Sequence, residues 1–200
     1  MLQQPLLTII VPVYNVEKYI DRALKSLANQ KNKNFKLLII NDGSTDQTLA
    51  KVEAYRSQFE SFEVITKPNG GLSSSRNLGM SKVDTPYFTF HDGDDWVDAG
   101  FVDFFVDAFA KHDVDMVCCG FWIDPKGKKA GKPGYGYLSR KEAMLSLTNI
   151  FSSVKGYTWN KGYKTRIVRQ NKMEFVSDLA FMEDQIFNVK YLSLSEGFYY

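Results

Sequence analysis

The strongest constraint on the fold is an alternation of short apolar segments with amphipathic segments over the first 122 residues. The short apolar segments, each of strand length, cover residues 6–14, 35–40, 62–66, 87–90 and 115–122. Between them, apolar residues recur at spacings of three and four, as at Ile20, Leu24 and Leu27, which is typical of a helix with one buried face. Strands that alternate with helices favour a parallel sheet between two layers of helices. We therefore predict an α/β fold with a doubly wound, mostly parallel sheet and helices on both faces.

Three polar sequences predict where helices begin, and a fourth predicts a surface loop. Asn15 is expected to be an N-cap, and residues 44–47 and 139–142 have the spacing of a capping box. Residues 124–137 are rich in Gly, Lys and Pro, which is typical of a loop or hairpin. A last helical pattern covers residues 181–192, so we expect regular structure on both sides of this loop.

Size, charge and cysteine content narrow the possible classes of protein. With 200 residues, of which 44% are hydrophobic and 24% charged, the chain has the composition of one globular domain over residues 1–200. Its 25 basic and 23 acidic residues give a net charge of +2, far from the basic excess of nucleic-acid-binding domains, so we expect no nucleic acid partner. The adjacent Cys118 and Cys119 exclude an ordinary disulfide framework and favour a reducing, cytosolic compartment, with both thiols as small buried groups.

The N-terminal residues do not look like a signal peptide. Residues 1–5 lack the positive charge of a signal peptide, and no apolar segment has the length that a bilayer requires. We expect a soluble chain, which leaves work at a membrane surface open. Residues 196–200 end among aromatic side chains, which are interpreted either as the cut edge of a longer chain or as a dimer surface, so the oligomeric state stays open.

Polar clusters follow four of the predicted strands, always at the same end. These clusters cover residues 14–15, 41–46, 67–71 and 91–95. In an open parallel sheet, ligands bind outside the carboxyl ends of the strands. Turn residues scattered by chance would fall at both edges, so this one-sided distribution predicts a binding site.

The densest of these clusters contains Asp92, Asp94 and Asp95. Three carboxylates within four residues repel one another unless a cation or hydrogen-bond donors compensate them. Hard oxygen ligands favour Mg²⁺ or Mn²⁺ over zinc, and such ions bridge protein carboxylates to phosphates. The alternative is a solvated turn in which one Asp caps the next helix. The position after a buried strand favours the metal interpretation and a diphosphate ligand.

Other polar residues along the chain each allow two interpretations. Asp42 lies either in a plain turn or where it accepts hydrogen bonds from a nucleobase, and residues 69–71 permit a close backbone approach. Arg76 is either a surface residue or a partner for a diphosphate or the acidic cluster. Residues 159–161 (Trp-Asn-Lys) are either core or site. His91 has no partner at metal-ligand or triad spacing.

Glu183 and Asp184 open the last helical pattern. Adjacent carboxylates on a helix point in different directions, so at most one is expected to face a pocket. The alternative is that both acids only complement the helix dipole.

Six segments in this order resemble one known family. They are residues 10–15 (IVPVYN), 40–46 (INDGSTD), 69–71 with 75–77 (NGG and SRN), 92–96 (DGDDW), 159–161 (WNK) and 183–184 (ED). Together they resemble the family 2 glycosyltransferases with a GT-A fold, especially bacterial enzymes of capsule, exopolysaccharide or lipopolysaccharide assembly. The resemblance covers nearly the whole chain.

The resemblance implies an inverting transfer of a sugar from a nucleotide diphosphate donor, usually a UDP-sugar, to an acceptor hydroxyl. Pro12, Tyr14 and Asp42 match positions that line the nucleoside pocket in the family. Arg76 matches a position near the diphosphate or the uracil. A GT-A fold is Rossmann-like, which agrees with the predicted sheet.

The same resemblance assigns the metal loop and the base. Asp92 and Asp94 match the DxD motif, with Asp92 towards the donor, Asp94 as a direct ligand of Mn²⁺ or Mg²⁺, and Asp95 in support. Asp184 matches the catalytic base, which takes the acceptor's proton opposite the leaving diphosphate. His91 departs from the pattern, because family members usually have an apolar residue there.

The resemblance also suggests how the chain is organised and where it works. Residues 1–122 would form the nucleotide-sugar-binding half and residues 123–200 the half with the acceptor and the base. The implied acceptor is a glycan or a lipid-linked glycan, and the implied location is the cytoplasm, with peripheral association at the inner face of the cell membrane. Many relatives are longer than this chain.

Two other functions stay open. A sugar nucleotidyltransferase shares an α/β sheet and acidic metal residues, but it needs a glycine-rich basic loop that residues 11–18 do not supply. A non-catalytic nucleotide-binding or glycan-binding module would be a truncated or decayed relative. The acids at Asp92, Asp94 and Asp184 are present, which speaks against decay.

Overall fold

The computed structural model describes residues 4–123, 128–130, 136–149, 154–177, 179 and 181–200. Its strands are β1 (Leu7–Val13), β2 (Phe35–Asn41), β3 (Phe62–Thr66), β4 (Tyr87–Phe90), β5 (Met116–Cys118), β6 (Phe121–Ile123), β7 (Lys128–Ala130), β8 (Tyr137–Leu138), β9 (Lys161–Lys164) and β10 (Phe198–Tyr199). Its α-helices are α1 (Ile20–Ala28), α2 (Thr48–Ala54), α3 (Gly71–Lys82), α4 (Phe101–Lys111), α5 (Arg140–Thr148), α6 (Thr165–Gln170) and α7 (Glu183–Ser193).

Eight strands form one sheet in the order β3-β2-β1-β4-β9-β5-β10-β8. The four N-terminal strands are parallel to one another, as predicted. β9 lies antiparallel between β4 and β5, and β8 is antiparallel to β10, so the other half of the sheet is mixed. The predicted strand over 115–122 divides into β5 and β6, and β6 pairs with β7 outside the main sheet.

The sheet has an apolar core on each face, because side chains alternate along each strand. In β1, Leu7, Ile9 and Val11 pack with α1 and α4, whereas Ile10 packs with residues of α3, α6 and α7. All four of these side chains are completely buried. The α/β architecture with helices on both faces is therefore confirmed.

One of the three predicted helix caps is correct. Ser139 and Glu142 form a complete capping box at the start of α5. Asn15 is not an N-cap: α1 begins five residues later, and the Asn15 side chain accepts a hydrogen bond from the Thr45 backbone N–H at 2.8 Å instead. Residues 44–47 also form no capping box, because α2 begins only at Thr48. These polar residues connect the loops after β1 and β2, a long-range contact that local spacing does not reveal.

Three further sequence predictions concern the surface and the cysteines. The predicted loop or hairpin over 124–137 lies largely outside the described residues, although β7 does pair with β6 as a hairpin. Cys118 is buried and Cys119 is half-buried, and both thiols are free. Within the described ranges, no helix combines the length and the apolar character that a membrane span requires.

Candidate active site

The loops after β1, β2 and β4 meet at one edge of the sheet. β1 is the central strand of the three, and its Val13 lies opposite Asn41 of β2. The Asp42 backbone N–H donates to the Val13 carbonyl at 2.9 Å, and the His91 backbone N–H donates to the Ile10 carbonyl at 2.9 Å. The sheet thus gathers the polar clusters at its carboxyl edge, as the sequence predicts.

Asp42 holds the loop after β3. Its two carboxylate oxygens accept the backbone N–H groups of Gly70 at 2.9 Å and Gly71 at 2.8 Å, and Lys67 forms an ion pair with it. Gly71 has a φ of 84°, a conformation that favours glycine. Burial acts to raise the pKa of Asp42, but Lys67 and the two N–H groups outweigh it and hold this pKa below its ordinary value. A fixed carboxylate therefore stands where the sequence predicts a nucleobase partner.

Arg76 lies among the carboxylates of Asp92, Glu183 and Asp184. It is only 2% exposed, so it is not a surface arginine. Its guanidinium nitrogens lie 2.5 Å from Asp184, 3.4 Å from Glu183 and 3.7 Å from Asp92. One buried cation therefore connects the loop after β4 to the start of α7.

Two aromatic rings hold the Arg76 guanidinium in place. Its central carbon lies 5.7 Å from the centre of the Phe90 ring and 5.3 Å from that of Phe175. Both distances are within the range of a cation–π interaction. Phe175 was not predicted from the sequence, since it lies between predicted elements without a recognisable motif.

Asp184 is fixed by three hydrogen bonds. One oxygen, Oδ1, accepts from Arg76, and Oδ2 accepts from the Thr158 backbone N–H at 3.0 Å and from the Thr158 hydroxyl at 3.1 Å. Met182, just before α7, has a φ of 68°. Both Glu183 and Asp184 contact the Arg76 guanidinium. Asp184 has the shorter contact with Arg76 and two further donors on Thr158, so its carboxylate is held more firmly than that of Glu183.

Residues 92–95 after β4, here called the acidic loop, carry unbalanced negative charge. Burial raises the pKa of Asp92 to about 6, and the carboxylates of Asp94, Asp95 and Asp184 add to the rise while Arg76 opposes it. Burial and the neighbouring Asp94 likewise raise the pKa of Asp95. A divalent cation would relieve this repulsion.

The donor set suits an ion that is shared with a ligand. In the part of the chain that the structure describes, no group of three or more His, Cys, Asp or Glu side chains is arranged to hold a metal by itself. Asp94 and Asp95 are exposed at the edge of the acidic loop. Mg²⁺ and Mn²⁺ are commonly held by one or two carboxylates together with phosphate oxygens. These two residues therefore fit a cation whose coordination a diphosphate completes.

The raised pKa of Asp92 predicts a stability effect in the metal-free protein. Between its unfolded value near 4 and its folded value near 6, the folded state binds more protons, so stability falls as pH rises through this interval. The Asp92→Asn variant is expected to show no such fall in stability with pH. At pH 8 its free energy of unfolding is expected to exceed that of the native chain by only on the order of 1 kcal/mol, because solvent reaches part of the Asp92 side chain. Urea unfolding in EDTA at pH 5 and pH 8 measures both effects. An equal change in both proteins between the two pH values would contradict the assignment.

His91 is buried directly before the acidic loop. Burial lowers its pKa to about 4, so the imidazole is neutral at physiological pH. Its Nε2 atom has no hydrogen-bond partner among the described residues. A neutral, uncharged ring accounts for a histidine at a position where an apolar residue is expected.

A cavity of about 840 Å³ lies beside the acidic loop. Its lining includes Asp94, Asp95 and His91 together with Tyr157 and Trp159. The rings of Tyr157 and Trp159 stack at 5.2 Å with an angle of 15° between them. This aromatic cavity therefore also has carboxylates in its lining.

The predicted site residues do not all lie around this cavity. Asp94 and Asp95 line it, whereas Asp92, Arg76 and Asp184 form an ion-paired cluster outside its lining. Pro12 is buried within β1, and Tyr14 follows this strand with 48% of its surface exposed. Pro12, Tyr14 and Asp42 thus lie at the β1–β2 side of the edge, and their role towards a nucleoside stays a prediction.

Comparison with known proteins identifies the family. The model described as Glycosyl transferase family 2 matches residues 8–182, which include the Asp42, Asp92 and Asp94 positions. The chain belongs to this family. Its α/β architecture is the GT-A fold of the family, as the six sequence segments predict.

Relatives of this family 2 chain include glycosyltransferases of two bacteria. It is 30% identical over 190 residues to the uncharacterized glycosyltransferase EpsJ of Bacillus subtilis, covering 92% of this chain and 55% of EpsJ. It is also 30% identical over 195 residues to the poly(ribitol-phosphate) beta-N-acetylglucosaminyltransferase TarS of Staphylococcus aureus, covering 92% of this chain and 32% of TarS.

Crystal structures of S. aureus TarS 1-349 share the architecture of this family 2 chain. The structure in complex with UDP-GlcNAc superposes with a TM-score of 0.83 at 26% identity and covers 96% of this chain and 55% of that one. The family 2 chain thus spans about half the length of EpsJ and of the TarS fragment.

Besides Phe175, the sequence did not predict the part of Thr158, which donates to Asp184, or of Asn188, which donates to the Gly156 carbonyl two residues before Thr158. Thr158 precedes the Trp-Asn-Lys segment that the sequence singled out, so that segment was the available signal. Asn188 lies on α7, one turn after Asp184, where it looks like an ordinary helix residue.

Proposed function

We propose that this domain transfers a sugar from a UDP-sugar to an acceptor hydroxyl with inversion, in the assembly of a cell-surface polysaccharide. The observation that carries the proposal is the buried Arg76, which connects Asp184 to Asp92 beside the acidic loop. This arrangement puts a fixed carboxylate next to the residues that would hold the diphosphate. Family membership favours a glycosyltransferase over a nucleotidyltransferase.

The donor nucleoside would bind at the carboxyl ends of β1 and β2. Pro12, Tyr14 and Asp42 lie at this end, and the Asp42 carboxylate is held in one orientation by the loop after β3. The TarS complex with UDP-GlcNAc supports a UDP-sugar as the donor class. Arg76 and Asp92 would lie near the diphosphate.

Asp94 and Asp95 would hold Mn²⁺ or Mg²⁺, with Asp94 as the direct ligand. The cation supplies positive charge that stabilises the leaving diphosphate. The exposed position of both carboxylates leaves room for phosphate oxygens as further ligands.

Asp184 would be the general base. Its carboxylate takes the proton of the acceptor hydroxyl while the acceptor oxygen bonds to the anomeric carbon and the bond from that carbon to the diphosphate oxygen breaks. Arg76 and Thr158 hold one orientation of this carboxylate, so the remaining lone pairs point in fixed directions. Preorganisation of this kind lowers the barrier because little rearrangement is needed during the reaction.

The acceptor would occupy the aromatic cavity. A sugar ring presents an apolar C–H face that packs on aromatic rings and hydroxyls that bond to carboxylates. Tyr157 and Trp159 supply stacked rings, and Asp98 supplies a further carboxylate. A glycan or lipid-linked glycan acceptor fits this lining, and TarS, named for its poly(ribitol-phosphate) activity, supports a polymer.

The proposal also covers the two halves of the chain and the place where the domain works. Residues 1–122 would bind the nucleotide-sugar, and residues 123–200 would supply the base and the Tyr157 and Trp159 part of the acceptor cavity. Other lining residues of this cavity, among them Asp98, belong to the first half. The domain would work in the cytoplasm at the inner face of the cell membrane, where lipid-linked acceptors are present.

Calorimetric titration tests the donor site. We expect UDP to bind in the presence of Mn²⁺, to bind about tenfold or more weakly in EDTA, and to bind more tightly than GDP. Absence of binding by both nucleotides would overturn the proposed donor site. Binding without release of UDP from any UDP-sugar would favour the alternative of a non-catalytic binding module.

A further inference from the structure

Lys161 is a buried charge that the proposed mechanism does not use. It begins β9 directly after Trp159 and Asn160, and its side chain is 0% exposed. A buried ammonium is costly unless acceptors surround it. The partners of Lys161 therefore indicate what the charge is for.

The Lys161 ammonium donates hydrogen bonds to backbone carbonyl groups of residues 154–157. Its Nζ atom lies 2.9 Å from the Val154 carbonyl, 2.9 Å from the Lys155 carbonyl and 2.6 Å from the Tyr157 carbonyl. The Asn160 side-chain oxygen lies 2.8 Å away as a fourth acceptor. Three backbone carbonyl dipoles thus point at one cation.

Two buried amides complete the frame around this segment. Asn188 of α7 donates to the Gly156 carbonyl at 2.8 Å, and Asn160 donates to the Val154 carbonyl at 3.3 Å. Lys155 has a φ of 53°, so the backbone turns sharply here. All four carbonyls from 154 to 157 are therefore bound by buried side chains.

The next residue after this segment is Thr158, which holds Asp184. Its backbone N–H and its hydroxyl both donate to Asp184 Oδ2. The direction of that N–H is set by the peptide that joins Thr158 to Tyr157, whose carbonyl Lys161 binds. A direct path of bonds thus leads from the buried ammonium to the carboxylate.

We propose that Lys161 is a positioning residue for Asp184, because its ammonium folds residues 154–157 into the shape that presents Thr158 to the carboxylate. The proposal rests on the proposed function in taking Asp184 as the base. Lys161 itself is completely enclosed and touches no reactant.

The Lys161→Met variant tests the proposal, since it keeps the length of the side chain and removes the charge and its donors. With UDP-GlcNAc as the donor probe and water as acceptor, kcat for UDP release is expected to fall about 10- to 100-fold, while the affinity for UDP with Mn²⁺ changes less than twofold. Hydrogen exchange of the amides of 154–158 is expected to rise. Lys190→Met, which removes an exposed lysine of α7, is the matched control and is expected to change none of these quantities.

A double mutant separates positioning from general destabilisation. If Lys161 acts through Asp184, the Lys161→Met/Asp184→Asn chain releases UDP no more slowly than Asp184→Asn alone. A native kcat in Lys161→Met, a parallel loss of UDP affinity, or fully additive losses in the double mutant would overturn the proposal. If Lys161→Met does not fold, Lys161→Gln, which keeps two N–H donors, carries the same measurements.

The hydrogen-exchange measurement is independent of the proposed function. If the native chain binds no UDP, the proposed function fails, but the exchange of residues 154–158 still reports on Lys161. Unchanged exchange in Lys161→Met overturns the role of the ammonium in shaping the segment, whatever the donor is.

Discussion

Replacing Asp184 by Asn is expected to lower kcat by about 10²- to 10⁴-fold, because an amide keeps the shape of the side chain but cannot take a proton. The affinity for UDP in the presence of Mn²⁺ is expected to stay within about twofold, since Asp184 would act on the acceptor hydroxyl and not on the nucleotide. Release of UDP from a UDP-sugar and calorimetric titration of UDP measure the two quantities separately.

Glu183→Gln is the matched control for this substitution. Glu183 is the neighbouring carboxylate, and its contact with Arg76 is longer, at 3.4 Å against 2.5 Å for Asp184. We expect the control to retain kcat within about tenfold. A larger loss in Glu183→Gln than in Asp184→Asn would transfer the role of the base to Glu183.

Replacing Arg76 by Met is expected to lower the free energy of unfolding by about 2–4 kcal/mol, because it leaves three partly buried carboxylates without their counter-ion. The loss is below that for a fully enclosed ion pair, since 16–28% of each carboxylate side chain is exposed. Asp184, Glu183 and Asp92 would then face one another without a counter-charge. The contacts of the guanidinium with Phe90 and Phe175 would also be lost. Urea unfolding at pH 7.5, followed by circular dichroism, measures the difference.

Arg56→Met is the control for the loss of an arginine as such. Arg56 forms an ion pair with Glu53 on the surface, where both side chains are about half exposed. Exposed pairs of this kind contribute at most about 1 kcal/mol. An equal fall in the free energy of unfolding of the two variants would show that Arg76 does not stabilise the fold through Asp92, Glu183 and Asp184.

Local patterns predict the parallel half of the fold. Alternation of apolar runs with helical stripes is a property of neighbouring residues, and it locates β1 to β4 because buried parallel strands are almost purely apolar. The polar clusters at one edge follow from the same alternation, since every parallel strand ends on the same side. The gathering of Asp42 and Asp92 at one edge was therefore accessible from the sequence.

The mixed half of the sheet was not accessible in this way. β9 has the sequence Lys-Gly-Tyr-Lys, which has no apolar run, and it becomes a central strand only because β4 and β5 pair with both of its edges. The ion pair of Arg76 with Asp184 joins residues 108 positions apart. Asn15 shows the same limit. Local spacing predicts a helix cap, but its side chain instead accepts a hydrogen bond from Thr45 on another loop.

The position of β9 also restricts how this fold can be divided or recombined. A strand from the second half of the sequence supplies the hydrogen-bonding partners of both β4 and β5, which belong to the first half. A fragment that ends at residue 122 would expose two facing strand edges and open a gap in the middle of the sheet. Exchange of the C-terminal half between relatives would therefore replace a central strand together with Tyr157 and Trp159 of the cavity lining. Under the proposed function, a change of acceptor preference made in this way would also disturb the sheet that carries the donor site.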